Sequence, residues 1–299
     1  MGEWIGYAAA ALVVSVWGTT FVSSKVLLGY ALMPADIFFY RFLMAYVCMA
    51  LVSHRRLWAE NLRDEFTLMG LGIMGGSLYF LTENMALTYS TSANVSILVS
   101  TTPLVTAFLV SLFYKSERMT RRQVAGSLCA FLGVVLVVLN GQVHLHLNPR
   151  GDLLALCASA TWACYSLLMR RVMWHYGSAF ITRKVFAYGV LTILPWFWVA
   201  HPLEMRSEVL LRPAVMGNLL FLGLVASTGG YFLWNWVMSR LGAVRATNCV
   251  YFQSLLTMAV GSVVLHERIT WMALLGSVVL IGGMLAALRR SPLRQQANN

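Results

Sequence analysis

The chain has 299 residues, of which 59% are hydrophobic and only 11% are charged, and its net charge is +11. A soluble domain of this length normally carries about 25% charged residues, so most of this chain cannot face water. The composition therefore excludes an ordinary soluble enzyme. The basic residues lie in short loops between apolar runs, which is typical of a membrane protein and not of a nucleic-acid-binding one.

Ten nearly uncharged runs follow one another along the chain. Each has the roughly 20 residues that a transmembrane helix needs. The predicted spans are 4–24, 35–53, 66–88, 93–114, 122–140, 151–169, 181–200, 213–238, 245–265 and 270–288. The uncharged stretch 84–114 is too long for one span, and the polar residues 88–92 predict the turn that divides it. Because no basic leader precedes the first run, we expect a retained helix and not a signal peptide.

The basic residues predict the orientation of these spans. With the N-terminus in the cytoplasm, sixteen Lys and Arg residues fall in inner loops or the tail, and five fall in outer loops, namely Lys25, Arg150, Arg206, Arg212 and Arg268. Cytoplasmic loops carry the excess of Lys and Arg in membrane proteins. We therefore expect both termini in the cytoplasm and a multi-pass protein of the inner (plasma) membrane.

An internal repeat relates the two halves of the chain. The sequence ERMT at 117–120 recurs as ERIT at 267–270, and the same offset of 150 relates further pairs, namely Gly126 and Gly276, Ser127 and Ser277, and Gly133 and Gly283. Two halves of five spans each must lie in the membrane with opposite orientations, as in many secondary transporters. The predicted fold is all-α and integral to the membrane, with ten helices in two inverted five-helix repeats. The repeats cover 1–143 and 149–290, followed by a tail, 291–299.

Several short motifs spread over the chain resemble a known superfamily. They are WGTTF at 17–21, RF at 41–42, ENMALTYSTSANVSIL at 83–98, TPL at 102–104, and the glycine-studded segments 126–138 and 276–288. Together they resemble the drug/metabolite transporter (DMT) superfamily, in particular its EamA-type ten-helix branch. The resemblance implies transport of small metabolites, often amino acids and often outward. One departure is that Pro103 in the fourth span corresponds to Gln253 in the ninth.

Glu83 is a carboxylate within an otherwise apolar span, where an acidic residue costs about 2.5–3.5 kcal/mol on insertion scales. It could bind a substrate amine or exchange a proton. Alternatively, it could pair with Arg41 or Lys25, both in the same outer half. Arg41 could bind a substrate carboxylate, since a guanidinium matches that group in two places. We favour Arg41 as a structural charge partner of Glu83 or Asp36.

Other candidate substrate-binding residues are aromatic or polar side chains within the spans. Trp17 and Thr20 in the first span correspond to Trp162 and Tyr165 in the sixth, and both tryptophans lie near the middle, where interfacial aromatic residues are not expected. They line a pocket or form plain core. The remaining candidates are Tyr79, Asn84, Ser96, Ser100, Tyr251 and Gln253. The repeated serines could equally serve close helix packing.

The glycines of the fifth and tenth spans, Gly126, Gly133, Gly276 and Gly283, predict tight helix packing, either between these two helices or in a homodimer.

No catalytic motif is present, and a metal site at His144 and His146 is disfavoured, so we expect no enzyme, metal or cofactor. We expect a secondary transporter that exports metabolites such as amino acids through a midplane cavity. Proton coupling is one option. A drug or nucleotide-sugar carrier of the same fold is the alternative, followed by a membrane enzyme.

Overall fold

The structure is a computed structural model. It describes residues 3–90, 92–113, 120–139, 148–203, 206–264 and 270–288. Every element in these ranges is helical: α1 Glu3–Gly29, α2 Pro34–Val52, α3 Leu62–Gly72, α4 Leu78–Tyr89, α5 Ser92–Val99, α6 Thr102–Phe113, α7 Arg121–Leu139, α8 Pro149–Val172, α9 Ser178–Val199, α10 Ser207–Leu210, α11 Pro213–Leu220, α12 Gly230–Leu241, α13 Ala243–Asn248, α14 Tyr251–Val264 and α15 Trp271–Leu288. Outside the described residues lie Glu117, Glu267, His144, His146 and the tail 291–299.

The outer surface of the helices is largely apolar, which favours contact with lipid over contact with water. Four described stretches are long and apolar enough to cross a membrane, namely Trp4–Gly29, Pro34–Val52, Pro149–Val172 and Pro213–Leu241. Large apolar side chains on several helices point outward, with exposed fractions of 60% at Leu12, 61% at Phe108 and 69% at Val278. Soluble monomers rarely expose apolar patches beyond a few hundred Å². The chain is therefore a multi-pass membrane protein, while the count of ten spans stays a prediction.

Two predicted spans are interrupted where the sequence analysis expected continuous helices. The expected helix 93–114 is divided into α5 and α6, and the expected helix 245–265 is divided into α13 and α14. Pro103 lies one residue into α6, and its ring and missing N–H favour a break there. At the second break the backbone forms a turn whose hydrogen bonds span three residues. The Cys249 N–H donates to the Ala246 carbonyl, and the Val250 N–H donates to the Thr247 carbonyl. Each half of the chain thus contains a divided helix, although only the first break has a proline beside it.

The predicted division of the long uncharged stretch is confirmed, because α4 ends at Tyr89 and α5 begins at Ser92. Two π-helical segments join consecutive helices. Ile73–Ser77 lies between α3 and α4, and Phe221–Gly229 lies between α11 and α12. A π-helical turn shifts the backbone bonding pattern and occurs often at functional sites. In the first segment a Cβ on Gly75 would meet the Tyr165 ring, 2.8 Å from Cε2, so this turn needs a glycine.

The glycines of α7 and α15 lie where these two helices cross. A Cβ on Gly126 would stand 2.6 Å from the Ala287 nitrogen and 2.8 Å from the Gly283 oxygen. Gly133 and Gly283 are obstructed in the same way by the backbone of the facing helix. Small residues let two membrane helices approach this closely. Of the two alternatives for these glycines, the structure favours contact between the two helices of one chain.

Candidate functional site

A cavity lies between helices of both halves of the chain, and the space of about 460 Å³ within it includes the solvent at its opening. We call it the central cavity. It is lined by residues of α1, α2, α4, α5, α6, α8, α12 and α14 and of the turn before α14. Seven of the residues that the sequence singled out line it, namely Trp17, Thr20, Arg41, Tyr79, Glu83, Trp162 and Gln253. Their shared location does not test a role in binding, which stays a prediction.

Aromatic rings form one wall of the central cavity. The Trp17 and Trp162 rings meet edge to face, with centroids 5.3 Å apart and planes at 89°. Tyr231 lies 5.8 Å from Trp17 and 5.7 Å from Trp162, and Tyr79 lies 4.9 Å from Trp162. The Trp17 indole Nε1 donates to the Ala226 carbonyl at 2.9 Å, within the second π-helical segment. This bond fixes the ring, and the wall suits a flat or apolar group.

Arg41 is almost fully buried, with 1% of its surface exposed. Its Nε donates to the Ser227 hydroxyl at 2.9 Å, and its Cζ lies 4.2 Å above the centre of the Phe80 ring. The buried Nη1 has no hydrogen-bond partner in the described part of the chain. Arg41 is therefore held through its Nε and one face of the guanidinium, while Nη1 has no hydrogen-bond partner among the described residues.

Glu83 is 3% exposed and lies on the same cavity. Its carboxylate interacts with the side chain of Tyr79, which lines the same cavity. The ion pairs predicted between Glu83 and Arg41 or Lys25 do not form among the described residues. Lys25 instead donates to backbone carbonyls near the C-terminal end of α4, those of Leu87 at 2.5 Å and Ser90 at 3.2 Å. Such carbonyls lack helix partners and attract a cation, which explains why Lys25 is engaged there.

The remaining predicted site residues lie away from the central cavity. The Asn84 side-chain NH2 donates to the Pro34 carbonyl at 3.2 Å, and the Ser100 hydroxyl donates to the Ser96 carbonyl at 2.7 Å within the helix. Tyr251 packs in a separate apolar cluster with Ala130, Val134 and Leu280. Both interpretations of the serines, pocket lining and close helix packing, therefore stay predictions.

Tyr165 belongs to a second group of polar residues, most of them buried, near the end of the bundle that contains loop 53–61. We call this group the polar network, and it consists of Glu65, Tyr165, Thr182, Arg183, Lys184, Tyr188 and Asn235. Tyr165 donates to the Asn235 amide oxygen, and the Asn235 NH2 donates to the Thr182 hydroxyl at 2.8 Å. Lys184 and Tyr188 both bind the Glu65 carboxylate. Arg183 donates to the carbonyls of Ser53 and Arg56.

Six lining residues were not among the predicted site residues, namely Phe21, Phe80, Val99, Thr102, Tyr231 and Val250. One signal could have found Tyr231. The segment YFLTEN at 79–84 resembles YFLWNW at 231–236, so Tyr231 corresponds to Tyr79 and Asn235 to Glu83. Likewise, RFLMAY at 41–46 resembles RKVFAY at 183–188, which relates Arg41 to Arg183. The apolar lining residues carry no such signal, because every span is rich in them.

A helical membrane protein whose buried cavity carries fixed charges and aromatic rings has the architecture of a solute transporter. The chain belongs to the EamA-like transporter family, whose model matches residues 4–139 and 149–289. This membership confirms the superfamily that the motifs at the start, middle and end of the chain indicated. The family is one of transporters and not of enzymes.

Relatives with similar sequences extend over nearly the whole chain. The chain is 28% identical to an uncharacterized transporter of Archaeoglobus fulgidus, over 92% of this chain and 94% of the relative. It is 29% and 27% identical to proteins named probable amino-acid metabolite efflux pumps in Salmonella typhimurium and Escherichia coli, over 92% of each chain. A solved crystal structure shares the fold with a TM-score of 0.72 over 99% of both chains, at 17% identity.

Proposed function

We propose that this protein is a secondary transporter that exports small metabolites such as amino acids across the inner membrane. The substrate binds in the central cavity, and alternating access exposes the cavity to one side of the membrane and then to the other. The observation that carries the proposal is the cavity itself. It takes Arg41 and Glu83 from the first family-matched stretch, and Trp162 and Tyr231 from the second.

The arrangement of the chain in two inverted five-helix repeats, with both termini in the cytoplasm, is part of the proposal. The two family-matched stretches, 4–139 and 149–289, support it because they are of nearly equal length. Paired irregularities also support it, since the described part of each half contains a π-helical segment and a helix that is divided in two, α5 and α6 in the first half and α13 and α14 in the second. In carriers with inverted repeats, the substrate site lies near the midplane between the repeats.

Alternating access needs a cavity that is closed at one end by contacts that can be broken. The polar network supplies contacts of this kind, because Lys184, Glu65 and Arg183 join the start of α9 to loop 53–61 and α3. By the distribution of basic residues this end faces the cytoplasm. Export of amino-acid metabolites is supported by the names of the Salmonella typhimurium and Escherichia coli relatives.

Counterflow in proteoliposomes tests the proposal. Vesicles containing the purified protein and loaded with an unlabelled amino acid should accumulate the same labelled amino acid for one or a few members of a panel. Glu83→Gln should reduce accumulation to a slow residual rate, whereas Glu208→Gln, at an exposed position, should leave it unchanged. If Glu83 also carries a proton, the rate in the wild-type protein should depend on pH and the slow residual rate of Glu83→Gln should not.

Absence of counterflow for amino acids, sugars, nucleotides and hydrophobic drugs would contradict the carrier function. Counterflow of a solute other than an amino acid would keep the carrier function and reject amino acids as substrates. Reporter fusions test the topology separately, and a C-terminus outside the cytoplasm would contradict an even number of spans.

A further inference from the structure

The two charged side chains of the central cavity are held in place but are not paired with each other. Ser227 binds the Nε of Arg41 and Phe80 covers one face of the guanidinium. The buried Nη1 lacks a partner in the part of the chain that the structure describes. A guanidinium presents five N–H donors in a planar fork that matches a carboxylate. Because an unsatisfied buried donor costs free energy, this edge is prepared for an anionic ligand.

Glu83 offers the opposite chemistry on the same cavity. Its ionised carboxylate only accepts hydrogen bonds and has about four acceptor positions. Tyr79 lines the same cavity and interacts with this carboxylate. The carboxylate is 3% exposed, so it is withdrawn from bulk solvent but borders the cavity. Charge-assisted bonds from a ligand ammonium would satisfy its acceptor positions.

We infer that the central cavity binds the zwitterionic headgroup of an α-amino acid, with its carboxylate on Arg41 and its ammonium on Glu83. The inference rests on the proposed function and adds which protein group receives which charge. A zwitterion has no net charge, and Arg41 and Glu83 together have none when both are ionised. Loading and unloading therefore leave the total charge of the cavity unchanged, which avoids the cost of an uncompensated charge in the membrane interior.

The two halves of the chain divide the recognition of this ligand. Arg41 and Glu83, which bind the headgroup, both belong to the matched stretch 4–139. Trp162 and Tyr231 of the second stretch form the aromatic wall with Trp17. A side chain lying against this wall is apolar and flat or large. The substrate class is therefore α-amino acids with aromatic or large aliphatic side chains.

Probes that lack one of the two charges test the assignment. Labelled L-phenylalanine is bound to the purified full-length protein in detergent, and 2-phenylethylamine and 3-phenylpropionate compete with it. These molecules share the ring but lack the carboxylate or the ammonium. Each should bind about 30-fold or more weakly than phenylalanine, because truncating one partner of a buried charge pair leaves the other charge unpaired.

Two variants should then show opposite preferences. Arg41→Gln should weaken phenylalanine and 3-phenylpropionate by about 30-fold or more and leave 2-phenylethylamine nearly unchanged. Glu83→Gln should weaken phenylalanine and 2-phenylethylamine and leave 3-phenylpropionate nearly unchanged. Arg41→Lys, which keeps the charge without the planar fork, should be intermediate. The matched controls Arg150→Gln and Glu208→Gln are at exposed positions and should bind all three probes like the wild type.

The crossed pattern separates a binding role from a folding defect, because a misfolded variant loses all three probes together. Equal binding of the three probes by the wild type, or the same loss of all three in both variants while melting temperatures stay normal, would overturn the inference. So would failure of phenylalanine, leucine and methionine to bind. Counterflow of a solute without the amino-acid headgroup would reject the zwitterion site and keep the carrier, whereas no counterflow of any solute would reject the proposed function itself.

Discussion

In the central cavity, Arg41 and Glu83 are buried with donors and acceptors left for a ligand, whereas the polar network pairs its charged groups within the protein. Arg41 has one hydrogen bond and an unpartnered Nη1 in the described part of the chain. Arg183, which occupies the related sequence position, donates to two main-chain carbonyls. Two arginines in similar sequence contexts thus have different surroundings. Arg183 binds the start of α9 to loop 53–61, whereas Arg41 is fixed by Ser227 and keeps a donor for a ligand.

The same contrast applies to Glu83 and Asn235, which follow the repeated Tyr-Phe-Leu by the same distance. Glu83 borders the cavity, while both polar atoms of the Asn235 amide are bound by Tyr165 and Thr182. Buried polar groups that are fully satisfied stabilise a fold, and those that are not raise its free energy. The difference indicates that the polar network stabilises the conformation seen here, and that the two cavity charges are available for a ligand.

The largest expected effect separates the two arginines. Arg183→Gln removes the donors for the Ser53 and Arg56 carbonyls and should lower the free energy of unfolding by about 2–4 kcal/mol, since a hydrogen bond to a charged group contributes about 1.5–3 kcal/mol. Arg41→Gln should change it by less than about 1 kcal/mol, because a poorly satisfied buried charge is lost. Unfolding titrations and thermal melts in detergent measure both. Equal destabilisation by the two variants would break the comparison.

A smaller effect is expected at Ser227, which positions Arg41 through a single bond. Ser227→Ala should weaken amino-acid binding by about tenfold, since a hydrogen bond to a charged group contributes about 1.5–3 kcal/mol. The melting temperature should stay near that of the wild type. Ser239→Ala is the matched control, because the Ser239 hydroxyl bonds to the Trp236 carbonyl of its own helix and Ser239 does not line the cavity. Unchanged affinity in Ser227→Ala would show that Phe80 alone suffices to place Arg41.

The smallest effect concerns Glu65, which lies just outside the predicted span 66–88. Partial burial alone would raise the pKa of its carboxyl, but hydrogen bonds from Lys184 and Tyr188 outweigh it, and the pKa lies below the ordinary value. A lowered pKa means that the carboxylate stabilises the folded state above the unfolded value of about 4.3. This contribution is lost as the pH falls through the lower folded value.

Thermal melts between neutral and acidic pH should therefore show a steeper loss of stability below about pH 4.3 in the wild type than in Glu65→Gln. Glu60→Gln is the control, because Glu60 pairs with Arg56 at the exposed surface and such pairs contribute little. Its profile should follow the wild type. If Glu65→Gln does so too, the carboxylate of the polar network is not a stabilising group.

The sequence by itself determined the class of protein, the approximate positions of the apolar segments, the turn after Tyr89 and the glycine positions of α7 and α15. These features depend on composition and local spacing. An apolar segment of membrane length can be recognised wherever it occurs, and glycines seven residues apart, about two helical turns, lie on nearly the same helix face. Glu83 and Arg41 were recognised as candidate site residues for a related reason, since a charged residue within an apolar span is costly and therefore rare.

Only the tertiary structure decided which polar residues share a cavity. Trp162 and Tyr165 are three residues apart on one face of α8, yet Trp162 lines the cavity and Tyr165 binds Asn235 in the polar network. Phe80 and Ser227, which hold Arg41, carried no signal. In a membrane helix both the lipid-facing and the buried sides are apolar, so hydrophobic periodicity does not report how the helix is rotated. Its rotation and depth follow from packing against helices far away in the chain.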